Sequence, residues 1–179
     1  MAKEMVGRRE FLAGAAAATL TLVKPGSARG AEANSRLEVG VIGPGGRGRW
    51  LCNLFEKNTP TKIVAAADYF GDRVGAARKQ FGLPADRCFS GALSAYKKLL
   101  DLDIDAVAIQ TPPCFHPQQA ADAVEAGKHV YVAKPIAVDV PGCQLIAASG
   151  KKATAKKLVF LVDFQTRANP FYIETVKRV

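Results

Sequence analysis

From residue 37 onward, short continuous apolar runs alternate with longer stretches whose apolar residues recur every three or four positions. The short runs are Leu37–Ile42, 63–68, Cys88–Phe89, 105–109, 130–132 and 158–162, and each reads as a strand. Between them the helical period predicts helices over 47–56, 72–81, 116–126 and 140–154. A further helix carries Leu93, Tyr96, Leu99 and Leu100 after Ser90-Gly91. Gly82 with Pro84 stops the second helix, and Gly127 closes the helix that begins at His116. Asn169-Pro170 opens a last helix over 171–179, within which the sequence stops. The strands are unbroken apolar runs rather than alternating ones, so both faces are expected to be covered. The βα rhythm then predicts an α/β fold with a doubly wound, mostly parallel sheet.

Chemistry enters where the first strand ends. Val39-Gly40-Val41-Ile42 runs into Gly43-Pro44-Gly45-Gly46-Arg47-Gly48, a G-x-G-x-x-G turn followed by an amphipathic stretch. Strand, glycine turn and helix set a pyrophosphate against backbone N–H groups at a helix N-terminus, as in the Rossmann arrangement. Gly43 permits the tight turn, Gly45 removes a Cβ where phosphates approach, and Gly48 lets the helix pack closely. The second strand ends in Asp68, about 20 residues beyond the last glycine, where a carboxylate can take the adenosine ribose hydroxyls. That carboxylate repels a 2′-phosphate, so NAD is favoured over NADP. Arg47, Arg49 and Arg73 keep a route to NADP open, against the alternative that they form a solvated basic face.

The formal charge of +9 raises nucleic acid as a partner. The charge, however, gathers at the start of the chain and in Lys151, Lys152, Lys156 and Lys157, at a helix end, where cations offset the helix dipole. No aromatic residues interleave them, so no nucleic-acid partner is expected. The start looks like a twin-arginine export signal. Arg8-Arg9-Glu10-Phe11-Leu12 precedes an alanine-rich run from Ala13 to Val23, and Ala31-Glu32-Ala33 has the form of a cleavage site. The run is too short for a comfortable membrane span, so membrane contact is expected only during export, with a periplasmic mature protein. Cys52, Cys88, Cys114 and Cys143 have neither C-x-x-C spacing nor a histidine at ligand distance. They read as small buried hydrophobes, with a disulfide as the alternative and no metal site.

Further motifs fall at the strand ends. Strand four runs into Gln110-Thr111-Pro112-Pro113-Cys114-Phe115-His116, and strand five into Ala133-Lys134-Pro135-Ile136-Ala137. Ala126-Gly127-Lys128-His129-Val130 leads into strand five, and strand six runs into Asp163-Phe164-Gln165-Thr166-Arg167. In this order the pieces resemble the nucleotide-binding half of the glucose–fructose oxidoreductase, inositol dehydrogenase and rhizopine-catabolism family (Gfo/Idh/MocA). The likeness extends from about Leu37 to the end. It implies an NAD(P)-dependent oxidoreductase that moves a hydride to or from a sugar or polyol, with a second domain closing the site. By the same resemblance Gly43, Gly45 and Gly48 cradle the pyrophosphate, and Asp68 binds the ribose. Thr111 and Pro112 line the cofactor cleft, His116 lies at the following helix start, and Lys134 sits beside the nicotinamide and the reacting hydroxyl. Ala133 stands where the family commonly has a glutamate.

A buried ammonium suits the expected chemistry, because loss of hydride from an alcohol leaves alkoxide charge to hold or a proton to move. Lys134 is therefore the expected catalytic residue. His116 is expected on cofactor phosphate or ribose, His129 in local packing, and Arg167 on substrate or nicotinamide, or else in a salt bridge to a missing domain. The expected organisation is an export signal over 1–33, an NAD-binding domain over 34–157, and over 158–179 the start of a truncated substrate domain. The resemblance also implies a homo-oligomer for the full-length form. The alternative functions are a dinucleotide-binding module without turnover and a methyltransferase, which leaves Lys134-Pro135 unexplained.

Overall fold

The structure, a computed structural model, describes residues 36–179, so the expected export signal lies outside the described residues. Six strands alternate with helices: β1 (Leu37–Ile42), α1 (Gly46–Asn58), β2 (Thr61–Ala67), α2 (Gly71–Phe81), β3 (Cys88–Phe89), α3 (Ala95–Leu100), β4 (Ala106–Ile109), α4 (His116–Glu125), β5 (His129–Val132), α5 (Val140–Ala155), β6 (Phe160–Val162), α6 (Gln165–Ala168) and α7 (Pro170–Lys177). The strands form one sheet in the order β3-β2-β1-β4-β5-β6, and every pairing is parallel. The doubly wound sheet expected from the unbroken apolar runs is present.

The inner parts of the strands are apolar because helices cover both faces, and the polar residues Glu38, Thr61, Lys62 and His129 fall at or near strand starts. Val39, Val41 and Ala108 pack on one side with Cys52 of α1 and with Val74, Ala77 and Phe81 of α2. Ile42, Val107 and Ile109 face the other way, against Tyr96 and Leu99 of α3, Ala120 and Val124 of α4, and Ile146 of α5. In β2 the alternation slips. The register with β1 shifts between Val39 and Gly40, so Val64 is an extra residue, and Val64 and Ala65 both pack toward the α3–α5 side.

Local chemistry sets several element ends. Asp139 caps α5 by accepting from the Gly142 N–H at 2.8 Å, and Asn169 caps α7 by accepting from the Phe171 N–H at 2.9 Å. Helix α3 begins at Ala95 without a side-chain cap, later than the Ser90-Gly91 signal implied, and residues 91–94 form turns instead. Strand β6 pairs with β5 from Val130↔Phe160 to Val132↔Val162, so the sheet runs past the domain boundary placed at 157. Beyond β6 the chain turns into α6, which no apolar period had marked.

The cysteines divide. Cys52 is buried, but Cys114 and Cys143 are exposed and all four are free, so the expectation of small buried hydrophobes holds for Cys52 and fails for that pair. Burial, with a smaller push from the charge of Glu56, moves the Cys52 thiol up to about 12. The fold thus holds the neutral thiol. The stability this contributes is whole below the ordinary value of 9.0 and is lost as pH climbs from there toward about 12. Near neutral pH, a thiol reagent should modify Cys114 and Cys143 in the native protein and reach Cys52 only after denaturant is added. Leu99 is fully buried, and Leu99→Ala should lower unfolding free energy by about 2–5 kcal/mol in a urea titration.

Candidate functional site

Backbone hydrogen bonds carry the sheet pairing one residue past the strand ends. The N–H of Gly43 donates to Ala67 O at 2.9 Å, Asp68 to Phe89 O at 3.1 Å, and Gln110 to Ile42 O at 2.8 Å. Ala133 donates to Ile109 O at 3.0 Å, and Asp163 to Val132 O at 2.9 Å. These five residues therefore stand in a row along the carboxyl edge of the sheet. Helix α1 leaves β1 toward one face and α4 leaves β4 toward the other, so a crevice opens between neighbouring strands at this edge.

The glycine turn fills the bottom of the crevice. Gly43 has φ +86°, a conformation that side chains disfavour, and a Cβ there would lie 2.6 Å from Thr111 N. A Cβ on Gly48 would come within 2.4 Å of the Gly43 carbonyl oxygen, so the first turn of α1 rests on the turn that precedes it. Gly45, at the helix N-cap, has nothing within 4 Å of its Cβ position. The first turn of α1 carries no acidic side chain, so the positive end of its dipole is not offset locally.

Beside the turn lies a cleft of about 460 Å³ whose walls include Gly43, Gly45, Asp68, Tyr69, Phe70, Arg73, Leu93, Gln110, Thr111, Pro112 and Phe115. The Asp68 side chain is 7% exposed; one oxygen accepts from the Phe70 N–H at 3.0 Å and the other lies 3.9 Å from the Arg73 guanidinium. Arg73 in turn lies over the Phe70 ring, 4.4 Å from its centroid. The three arginines weighed for a 2′-phosphate separate here. Arg47 is bound to Asp163 at 2.6 Å, Arg49 donates to Gln80 at 3.5 Å, and Arg73 is the one beside Asp68.

At the tip of β4, Thr111 and Pro112 line the cleft. The Thr111 hydroxyl donates to Gln119 Oε1 at 2.6 Å. His116 takes a different part from the one its sequence position implied. It is 1% exposed, with Nε2 2.7 Å from Thr111 O and Nδ1 2.9 Å from Pro135 O. Each ring nitrogen thus faces a backbone carbonyl oxygen, to one of which a neutral ring can donate, and the ring sits between the loop after β4 and the loop after β5 instead of lining the cleft. His129 is local, as expected: Nδ1 accepts from the Val159 N–H at 2.8 Å.

Lys134 stands at the tip of β5 with an exposed side chain, not the buried ammonium anticipated, and its bond to Pro135 is cis. It is not among the residues lining the Asp68 cleft. Arg167 lies in α6, stacked on Phe164 at 5.1 Å, and lines a separate hollow with Tyr131, Asp163 and Gln165. Strand β6 stops at Val162, so residues 165–168 do not project from a strand toward the cleft.

The motifs had given no role to Gln110, Asp163 or Tyr131. Asp163 holds Arg47, and burial, with the charge of this carboxylate adding to it, pushes the Tyr131 phenol upward. Burial and then the Asp122 carboxylate do the same to Tyr96, whose hydroxyl donates to Asp122 at 2.6 Å. Gln110 is the one polar side chain at the β4 tip whose amide is buried without a partner among the described residues. An open helix N-terminus, a nearly buried carboxylate on the next strand tip, a cleft joining them and an unpaired amide fit a dinucleotide.

Comparison with known proteins agrees. The sequence model of the GFO_IDH_MocA oxidoreductase family, described as having an NAD-binding Rossmann fold, matches residues 37–163. Over 106 residues the chain is 40% identical to a glycosyl hydrolase family 109 protein 1 of Bacteroides fragilis (strain YCH46), covering 57% of this chain and 23% of that protein. Scyllo-inositol dehydrogenase from Lactobacillus casei, solved with NAD(H) and scyllo-inositol, superposes with a TM-score of 0.64 at 25% identity, covering 79% of this chain and 40% of its own. A 3-ketoreductase from Actinomadura kijaniata, solved with NADP and TDP-benzene, gives 0.65 at 26%, covering 79% and 41%. The chain spans about a quarter of the length of the curated relatives it matches.

The glycines differ in what they tolerate. Gly48→Ala should destabilise the fold by about 1–3 kcal/mol, because the new methyl meets a carbonyl oxygen on a rigid turn. Gly45→Ala meets open space and should lose no more than about 1 kcal/mol in the same denaturant titration.

Proposed function

The chain belongs to the GFO_IDH_MocA family of NAD-binding oxidoreductases, and we propose that it is the cofactor-holding part of an enzyme that moves a hydride to or from a sugar or polyol. The observation that carries this reading is the pairing of the Gly45 N-cap, open above, with the nearly buried Asp68 carboxylate at the next strand tip. In this reading the backbone N–H groups of the first turn of α1 hold the diphosphate. Asp68 turns from Arg73 to accept the adenosine ribose hydroxyls, and Thr111 and Pro112 form the wall behind them. Bound NAD supplies the hydride acceptor or donor. Lys134, exposed at the β5 tip, holds alkoxide charge or moves the hydroxyl proton of a substrate arriving from the solvent side. The substrate reading draws support from the inositol dehydrogenase and 3-ketoreductase among the structural neighbours.

The relatives' name favours a second reading, in which the substrate is a glycoside and the hydride returns within the same turnover, for a net hydrolysis. The two part in the assay. A dehydrogenase accumulates NADH absorbance with a free polyol, whereas the hydrolase releases sugar with none. Residues 1–33 would carry the protein out of the cytoplasm by the twin-arginine route, and Arg8→Lys with Arg9→Lys should then leave it in the cytoplasmic fraction.

Calorimetric titration tests the cofactor reading. Asp68→Ala should weaken NAD about ten-fold or more and narrow its advantage over NADP, since the group repelling the 2′-phosphate is gone. Equal affinities in wild type and variant would refute it. Lys134→Met should leave NAD affinity unchanged and lower the hydride-transfer rate by about 10²–10⁴-fold.

A further inference from the structure

Among the described residues, the side-chain polar atoms buried without a partner are the amide nitrogen and oxygen of Gln110 and the Nε of Arg49, and only Gln110 is left with no paired atom in its side chain. Burying an amide unpaired is unfavourable, and such groups are rare unless a ligand or water completes them. Its neighbours at the β4 tip do not complete it. The Thr111 hydroxyl is committed to Gln119 at 2.6 Å and the Thr111 carbonyl faces His116 at 2.7 Å.

The position narrows what the partner can be. The Gln110 backbone is hydrogen-bonded to Ile42 at 2.8 Å, and its Cβ lies 3.3 Å from where a Cβ on Gly48 would stand. Its side chain therefore rests on the first turn of α1, on the opposite side of the glycine turn from β2. It lines both the Asp68 cleft and a second groove of about 430 Å³ over Gly45, Gly46 and Arg49. A dinucleotide running from Asp68 across the helix N-terminus has to pass this junction. A primary amide offers two donors and an acceptor, whereas a diphosphate offers only acceptors and a ribose offers hydroxyls.

Resting on the NAD reading above, we propose that the Gln110 side chain, whose amide is closed off by protein in the free chain, turns into the cleft that the residue lines and binds the dinucleotide. Its Nε2 donates to a diphosphate oxygen and its Oε1 accepts from a hydroxyl of the adjoining ribose. The amide is thereby a group stored unpaired in the free protein and satisfied on binding. Stability of the free chain and affinity for the cofactor should then move in opposite directions when it is removed.

The test titrates the full chain, wild type and Gln110→Leu, with NAD, ADP-ribose and adenosine, and records the melting temperature without ligand. Gln110→Leu should melt at or above the wild-type temperature, bind NAD and ADP-ribose about ten-fold more weakly, and bind adenosine as before. Gln110→Glu keeps the size of the side chain but sets a charge against the diphosphate, and should weaken NAD by about a hundred-fold. Wild-type affinity for NAD in both variants, or equal losses for adenosine and NAD, would overturn the proposal. If NAD binding is lost in Asp68→Ala yet untouched in Gln110→Leu, only the role of Gln110 falls. If the wild-type chain does not bind NAD, the cofactor reading falls and this proposal with it.

Discussion

Helix α1 meets the end of β1 so closely that a single methyl group on Gly48 would stand 2.4 Å from the Gly43 carbonyl. That contact sets the height of the helix N-terminus above the sheet. Because the pairing of β1 with β2 and β4 continues into Gly43 and Gln110, the same turn is anchored on both sides. The opening above Gly45 is then a consequence of backbone geometry, requiring no side chain to create it. Helices departing to opposite faces after β1 and β4 leave the crevice unroofed at this point.

Charge is distributed around the crevice in a way that distinguishes its ends. At the β2 side, Asp68 is nearly buried and held by a backbone N–H, with Arg73 at 3.9 Å on its outer oxygen. At the β6 side, Asp163 holds Arg47, which fixes a residue of the glycine turn to the far strand. Arg47 is therefore committed to a protein carboxylate, and the first turn of α1 faces the crevice with its backbone. His116 sits below, between the loops after β4 and β5, with a carbonyl oxygen facing each ring nitrogen. The loop carrying Lys134 thus rests on a buried ring that itself stays out of the cleft.

The strands, the glycine turn and the acidic tip of β2 were legible in the chain because each depends on residues close in sequence. An unbroken apolar run identifies a doubly covered strand, and glycine spacing identifies a turn. The run 158–162 was legible as a strand for the same reason, but which strand it pairs with, β5, depends on a partner some thirty residues away. Likewise, α6 is one turn long, too short for a helical period to register.

By itself the sequence determined the fold class, the order of the elements, and the places of the glycine turn and of the acid at the next strand tip. The tertiary structure decided which polar side chains are already occupied. His116 carries the same residue type and spacing whether it faces a ligand or two carbonyls, and only the approach of the β5 loop settles which. Arg167 and Arg73 are equally basic on paper, yet one lines a hollow beside β6 and the other stands over Phe70 next to Asp68. The physical reason is that a hydrogen bond or ion pair is satisfied by whatever the fold brings within reach, and residues far apart in the chain acquire that reach only when the sheet is assembled.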